Sequence, residues 1–408
     1  MKRYILILFL IALAFPLHAQ QRLSEHARIS ILTLEPWTKE VYARFGHTAV
    51  WVRDDSLGIN KVFDYGLFDM SSPNFLLNFV RGHTDYYVGI RPFERFLAQY
   101  IAQGVEAIEQ LLNLTQEEKQ KLYNAMYINA LPENKVYRYS FFFDNCVTRP
   151  RDLIERYIQG IIQYPEDRKV QTFRDLVHEC VSPYPWMQFG IDLVIGNEAD
   201  RPITLREKMF LPIYFKNALA ETVVIRNGVA SPLVAETNII LQTNPERNKR
   251  QEPSLFSPFV VAFLVLLLSF AISLMQKKKI NAIVPRIFDS LLFFVAGIAG
   301  VIVFFLMFFS EHPATNPNWN LVWIHPLALL FSVLFWVKAC RKVVDYYHLA
   351  NFAVLTLFLL MWWWIPQQLH LAAMVFAASL WLRSGTNWFL NRKQIVANKH
   401  EIHSISTK

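Results

Sequence analysis

The chain is short of the residues that small or irregular folds depend on. Three cysteines in 408 residues exclude a disulfide-built scaffold, and 13 glycines exclude a collagen-like chain. Only 18% of residues are charged against 53% hydrophobic, which excludes a disordered protein. No internal repeat and no low-complexity tract interrupts it. Positive charge is missing where a nucleic-acid binder would carry it. From Ser257 onward 12 Lys and Arg stand against 4 Asp and Glu, and the residues before it hold 29 of each sign. The net charge of +8 therefore belongs to the C-terminal third, and a basic stripe on a folded nucleic-acid-binding domain falls away.

What the chain has is apolar length. Mean hydropathy is positive at +0.21. Lys2 and Arg3 precede an apolar run from Tyr4 to Leu17, with Ala19 before Gln20. This pattern predicts a signal peptide over 1–19, and no Cys follows the cut, so a lipoprotein signal is not indicated. Beyond Ser257, apolar stretches near 257–275, 290–310, 320–337, 350–365 and 368–382 predict about five spans. Lys277–Lys279 and Arg286 follow the first span, Lys338, Arg341 and Lys342 the third, and Arg383, Arg392, Lys393, Lys399 and Lys408 the fifth. The loops around 311–319 and 366–367 have no Lys or Arg, so the basic ends are read as cytoplasmic and residues 20–244 as exported. Trp319, Trp323 and Trp362–Trp364 fall near the outer ends, as interfacial anchors would. The polar stretch 245–256 reads as a linker, 257–383 as a membrane domain and 384–408 as a cytoplasmic tail.

The exported part reads as mixed α and β. Ala27–Leu34, Gly46–Arg53 and Lys61–Phe68 are strand-like, with turn residues at Asp54–Gly58. Thr115 and Glu118 form a capping-box pattern opening a helix toward Ala130. Val136–Phe142 alternates as a strand, and Asp144-Asn145-Cys146 leads into a helix through Tyr157.

Of the cysteines, Cys340 falls at a cytoplasmic span end, whereas Cys146 and Cys180 are exported and could pair. Cys146 has the more reactive setting. It follows a strand and stands at a helix start, where unpaired N–H groups favour a thiolate and an oxyanion. Arg149 and Arg151 add positive charge. A thiolate needs a base, and the exported part offers His26, His47, His83 and His178. Pro150 delays the helix start to Thr148, which weakens the dipole contribution at Cys146.

Arg44-Phe45-Gly46-His47-Thr48-Ala49, Asp64-Tyr65-Gly66, Phe75…Phe79…Gly82…Tyr86 and Asp144-Asn145-Cys146-Val147-Thr148-Arg149 together resemble the Bacteroides-type lipoprotein N-acyltransferase family. Trp186…Gly190-Ile191-Asp192…Gly196…Asp200, Met209–Pro212 and Asn318–Trp323 with Pro326 fit the same pattern. The His-before-Cys order is similar to circularly permuted papain-like domains, a group that includes NlpC-type cell-wall peptidases. The resemblance implies an α+β, permuted papain-like exported domain followed by an α-helical transmembrane bundle.

It also implies an acyltransferase in the bacterial inner membrane with its catalytic domain in the periplasm. A phospholipid would be the acyl donor and a diacylated lipoprotein the acceptor, with no metal or soluble cofactor. Cys146 would be the nucleophile and His47 its base. Tyr65, Asp64 and Asp69, in that order, are candidates to orient His47, and Asn145 is a further catalytic candidate; Tyr65 also reads as core packing and Asn145 as a helix cap. Arg149 and the polar residues Asn318, Asn320 and His325 are candidates for substrate binding, since polar groups at a span end are functional by default. A plain solvated turn is the other reading of Glu311–Asn320. The apolar run Met209–Phe215 would either dip into lipid or pack on the spans. Two rivals use the same residues: an NlpC-type thiol hydrolase tethered to the membrane, and a non-enzymatic envelope protein bridged by Cys146–Cys180.

Overall fold

Alternation of apolar residues makes the centre of the exported part a seven-stranded antiparallel sheet. In the computed structural model, residues 22–249, 255–281 and 283–406 are described, with side chains through 392; the signal-peptide segment lies outside the described residues. Strands β1 (Arg28–Leu34), β2 (His47–Asp54), β3 (Ile59–Leu67), β4 (Asp85–Pro92), β5 (Ala107–Leu112) and β6 (Val136–Arg138) are joined by Val234–Leu241. Their order in the sheet is Val234–Leu241, β5, β1, β2, β3, β4, β6. The first three pair as neighbours, with Leu34 opposite His47 and Val50 opposite Phe63.

This sheet is covered on both faces. Ile29, Ile31, Val50, Val52, Phe63 and Tyr65 pack with Leu122, Met126 and Ile154 of the helices Gln116–Asn129 and Thr148–Tyr157. Leu32, Ala49, Trp51 and Val62 turn the other way, onto Phe96 and Tyr100 of the helix Phe93–Gln103. Each such side chain contributes about 1.5–3 kcal/mol on full burial, so the alternation fixes which residues of β2 and β3 share a face.

The capping box opens its helix as expected: Thr115 accepts from the Glu118 N–H and Glu118 from the Thr115 N–H. Two expectations are corrected. The strand expected over Val136–Phe142 stops at Arg138, because Phe141 and Phe142 turn into a cluster with Phe173 and Phe210. Met209, Phe210, Leu211, Pro212 and Phe215 are core residues as well, so that run neither dips into lipid nor packs on the spans.

Among the described residues, three helices are long and apolar enough to cross a membrane: Pro258–Lys277, Ile283–Phe308 and Lys338–Leu360. The expected third span, 320–337, is instead the shorter apolar segment Trp319–Leu334, broken before Leu327 by Pro326, which has no N–H to give. The expected fifth falls on Leu371–Ser406, a helix carrying Arg383. Arg383 is not a loop residue. It is fully buried and clasps Asp289 through two bonds of 2.6 and 2.9 Å, with Ser273 and Gln276 completing its fork. Of the tryptophans expected as anchors, Trp363 and Trp364 are exposed, whereas Trp323 and Trp362 are packed inside.

The two parts are joined through the helix Pro185–Val194 and the turn after it. Asn320 donates to the Asp192 carbonyl at 2.8 Å, Asn318 to that of Leu193 at 2.8 Å and Gln367 to that of Ile195 at 3.0 Å. Arg174 underlies this junction. Its buried guanidinium holds Asp192 at 2.8 Å and Asp200 at 2.7 Å and donates to the carbonyls of Ile195 and Gly196. Arg174→Ala leaves two buried carboxylates without their cation and should cost about 3–5 kcal/mol. Thermal melting of the full-length protein in detergent checks this, and an unchanged midpoint would refute it.

Candidate active site

Strand geometry brings His47 and Asp64 together. Val50 and Phe63 are opposite each other on one face, so alternation sends the odd residues of β2 and the even residues of β3 to the other. His47 Nε2 lies 2.7 Å from Asp64 Oδ1, and the other carboxylate oxygen accepts from Arg91 at 2.9 Å. Asp64 is 1% exposed. Arg91 is fixed in turn by Gln99, 3.0 Å away.

Cys146 comes to the same imidazole from the turn that follows β6, near the middle of the exported sequence. Cys146 lies close enough to the His47 ring to act on its charge, and Asp64 is hydrogen-bonded to it. Close approach depends on a bulge in β3, where the pairing with β4 shifts between Asp64 and Leu67. Gly66 occupies it at φ +86°, and a Cβ there would stand 3.4 Å from the Cys146 Cβ. A larger residue would meet both the left-handed backbone and the thiol. On the other strand, Gly46 precedes His47 at φ +76°, and a Cβ there would lie 2.7 Å from the Leu34 carbonyl oxygen.

Electrostatics follow from this geometry. Burial disfavours the His47 imidazolium, but the charges and hydrogen bonds of Cys146 and Asp64 outweigh it and push the pKa up to about 10. The imidazolium form of His47 is the one this environment favours. Cys180 is the contrast: burial first and the Glu179 charge second push its thiol up to about 12. A thiol so held is inert. Both cysteines are free, which removes the Cys146–Cys180 bridge of the non-enzymatic rival.

Residues 17–179 match the Lnb N-terminal periplasmic domain family and residues 250–394 match the Lnb transmembrane domain family. The chain belongs to the Lnb family. No curated protein and no solved structure matches it. The N-terminal match contains all four residues of the Cys146–His47–Asp64–Arg91 chain.

The remaining expected site residues sit elsewhere or act differently. Tyr65 does not orient His47. It points to the other face of β3, is fully buried, and accepts a hydrogen bond from Asn129 at 3.1 Å. Asp69 is exposed and bonds to Ser71. Asn145 is a cap: its Oδ1 accepts from the N–H groups of Val147 and Thr148, and its amide donates to the carbonyls of Phe141 and Phe210. The helix therefore begins at Thr148, two residues beyond Cys146, and those two N–H groups are taken. Arg149 is paired with Asp144 by bonds of 2.6 and 2.8 Å and lies over the Tyr137 ring, and Arg151 is paired with Asp152. Neither cation is free to favour the thiolate. Asn318 and Asn320 are buried in the junction between the two parts, and His325 bonds Asn351 at 3.2 Å within the bundle. None of these three bonds to Cys146 or His47. His83 pairs with Glu311, His178 with Asp192, and His26 is exposed, which leaves His47 as the histidine at the thiol.

Arg91 went unanticipated, since its only sequence signal is a cation on the strand after Asp64. A cavity of about 500 Å³ lies beside Phe45 and Gly46 and runs to Cys180 and Tyr184, without Cys146 in its wall. Among the described residues no group of three His, Cys, Asp or Glu side chains converges as a metal site.

The ion pair makes a pH prediction. His47 of the full-length protein should stay protonated through neutral pH and titrate near 10, against an ordinary 6.5. Asp64→Asn should bring that midpoint down. Because the folded value is the higher one, the stability it confers is complete below about pH 6.5 and is lost as pH rises toward about 10. Ring resonances assigned by subtraction of the His47→Gln spectrum report the midpoint; a wild-type value near 6.5 would remove the ion pair.

Proposed function

We propose that the chain is a lipoprotein N-acyltransferase working through a thioester on Cys146. The observation that carries this reading is the Cys146–His47–Asp64 chain in a protein of the Lnb family, held at the outer end of a helical membrane domain. In this reading the Cys146 thiolate attacks an ester carbonyl of a membrane phospholipid. A C–S bond forms, the carbonyl C–O bond to glycerol breaks, and the His47 imidazolium gives its proton to the departing oxygen. Lysophospholipid leaves. The α-amino group of a diacylglyceryl-cysteine lipoprotein then attacks the thioester. An amide C–N bond forms, the C–S bond breaks, and neutral His47 takes the amine proton, which regenerates the thiolate–imidazolium pair.

Asp64 orients the imidazole through its second nitrogen, and Arg91 positions Asp64. The developing oxyanion is met by the Cys146 N–H, which donates to no protein group among the described residues. One such donor is typically worth about 2.7–4 kcal/mol of barrier. A histidine on a strand that precedes the nucleophile in sequence supports the permuted papain-like reading of the exported domain.

Five passes are proposed for the membrane domain, in the inner membrane with the catalytic domain in the periplasm. Support comes from which ends meet the exported part. Glu311, Asn318 and Gln367 bond to it, whereas the opposite layer joins Gln276 to Asn387 and Asp345 to Asn391. A membrane-impermeant thiol reagent applied outside intact spheroplasts should therefore spare Cys340. Its modification without permeabilisation would overturn this topology.

Intact mass after incubation with phospholipid vesicles tests the chemistry. Wild-type and Cys180→Ser proteins should gain one acyl group on Cys146, and Cys146→Ala should gain none. His47→Gln should slow adduct formation by about 10²–10⁴-fold. Triacylated lipoprotein formed at the wild-type rate by Cys146→Ala would end the thioester mechanism.

A further inference from the structure

The acyl-transfer reading leaves open how an acyl chain passes from the membrane to the thiol. The helix Phe75–Arg81 is clamped to the outer end of the span Ile283–Phe308. The Arg81 carbonyl accepts from the Glu311 N–H at 2.8 Å, and the Phe79 carbonyl lies 2.7 Å from the His312 ring. Gly82, which ends this helix at φ +80°, lies so close that a Cβ would stand 2.9 Å from the His312 nitrogen. Glu311 also bonds His83 and Arg138, so the clamp is double-sided.

This helix turns its apolar residues outward. Leu76 is 74% exposed, Leu77 47% and Phe79 46%. An exposed apolar patch of this kind has a partner, and one held against the last turn of a membrane span has lipid beside it.

From the same helix a row of rings leads inward to Cys146. Phe79 stacks on Phe75 at 6.3 Å, Phe75 on Phe68 at 5.9 Å, Phe68 on Tyr86 at 4.8 Å and Tyr86 on Tyr139 at 4.3 Å. All four pairs lie within 26° of parallel. The row ends at the bare side of Gly66, where the Tyr139 ring and the Cys146 Cβ lie 3.6 and 3.4 Å from the position of a Cβ. Core rings would be enclosed, yet Phe68, Phe75 and Tyr139 are only half-buried. The row is aromatic along its length, half-buried at Phe75, Phe68 and Tyr139 and buried at Tyr86, and continuous from the membrane domain to the nucleophile.

We propose that this aromatic row, from Phe79 through Phe75, Phe68 and Tyr86 to Tyr139, is the track on which one acyl chain of a phospholipid reaches Cys146, with the Phe75–Arg81 helix lying in the lipid surface. The proposal rests on the acyl-transfer reading and adds the lipid-positioning residues to it. Flat faces suit a flexible hydrocarbon, which they hold by area rather than by shape.

Photo-cross-linking tests it. Full-length protein is placed in phosphatidylethanolamine–phosphatidylglycerol vesicles with a trace of phospholipid bearing a diazirine midway along one chain, then irradiated and digested. Cross-links should map to residues 68–86 and Tyr139 as well as to the spans. The Leu76→Glu/Phe79→Glu double variant should lower those outside the spans by about tenfold. Cross-links confined to 258–392 in the wild-type protein overturn the track. Intact mass of the same sample keeps the two ideas apart. An acyl adduct on Cys146 without cross-links on the row removes the track and retains acyl transfer; cross-links on the row without an adduct remove acyl transfer and retain the lipid track.

Discussion

A carboxylate shut away from water must have its lone pairs answered, and Asp64 is the group on which the site turns. One oxygen is given to His47 and the other to Arg91, with almost no solvent contact. Both of its oxygens are therefore answered by nitrogen donors inside the fold. Asp64 and Cys146 together raise the pKa of His47 against its burial. Strands β2, β3 and β4 each contribute one member, so the sheet sets the distances that loops alone would leave loose.

A second buried charge does comparable work at the junction. Arg174 ties Asp192 to Asp200, and the backbone that follows Asp192 receives the amides of Asn318, Asn320 and Gln367. Polar residues that look available for substrate are consumed in joining the exported domain to the bundle. The exported part, with its thiol, is thereby fixed to the helical bundle.

Much of this was legible in the sequence. Alternating apolar residues announced β1 to β3, Thr115 and Glu118 announced their helix, and the motifs around His47 and Cys146 announced the pair. The reading of Tyr65 failed for a physical reason. Alternation counted from Val50 and Phe63 sends Tyr65 into the core and Asp64 to His47, but the register needed for that count is a tertiary fact. Asn145 was ambiguous because an amide can serve a cap or a reacting group, and only its four bonds decide. Burial misled most in the membrane part. Arg383 resembles the basic residues that mark a loop, and its pairing with Asp289 lies more than ninety positions away, beyond any local signal.

That pairing bears on how the protein is made. Asp289 leaves the ribosome on the second apolar helix and Arg383 on the last. An unpaired guanidinium in the middle of a bilayer costs at least about 2.5–3.5 kcal/mol, and the Leu371–Ser406 helix carries that penalty if it enters lipid alone. It enters readily only where Asp289, Ser273 and Gln276 already wait. The early helices thus offer a socket that the Leu371–Ser406 helix fills with its one buried guanidinium.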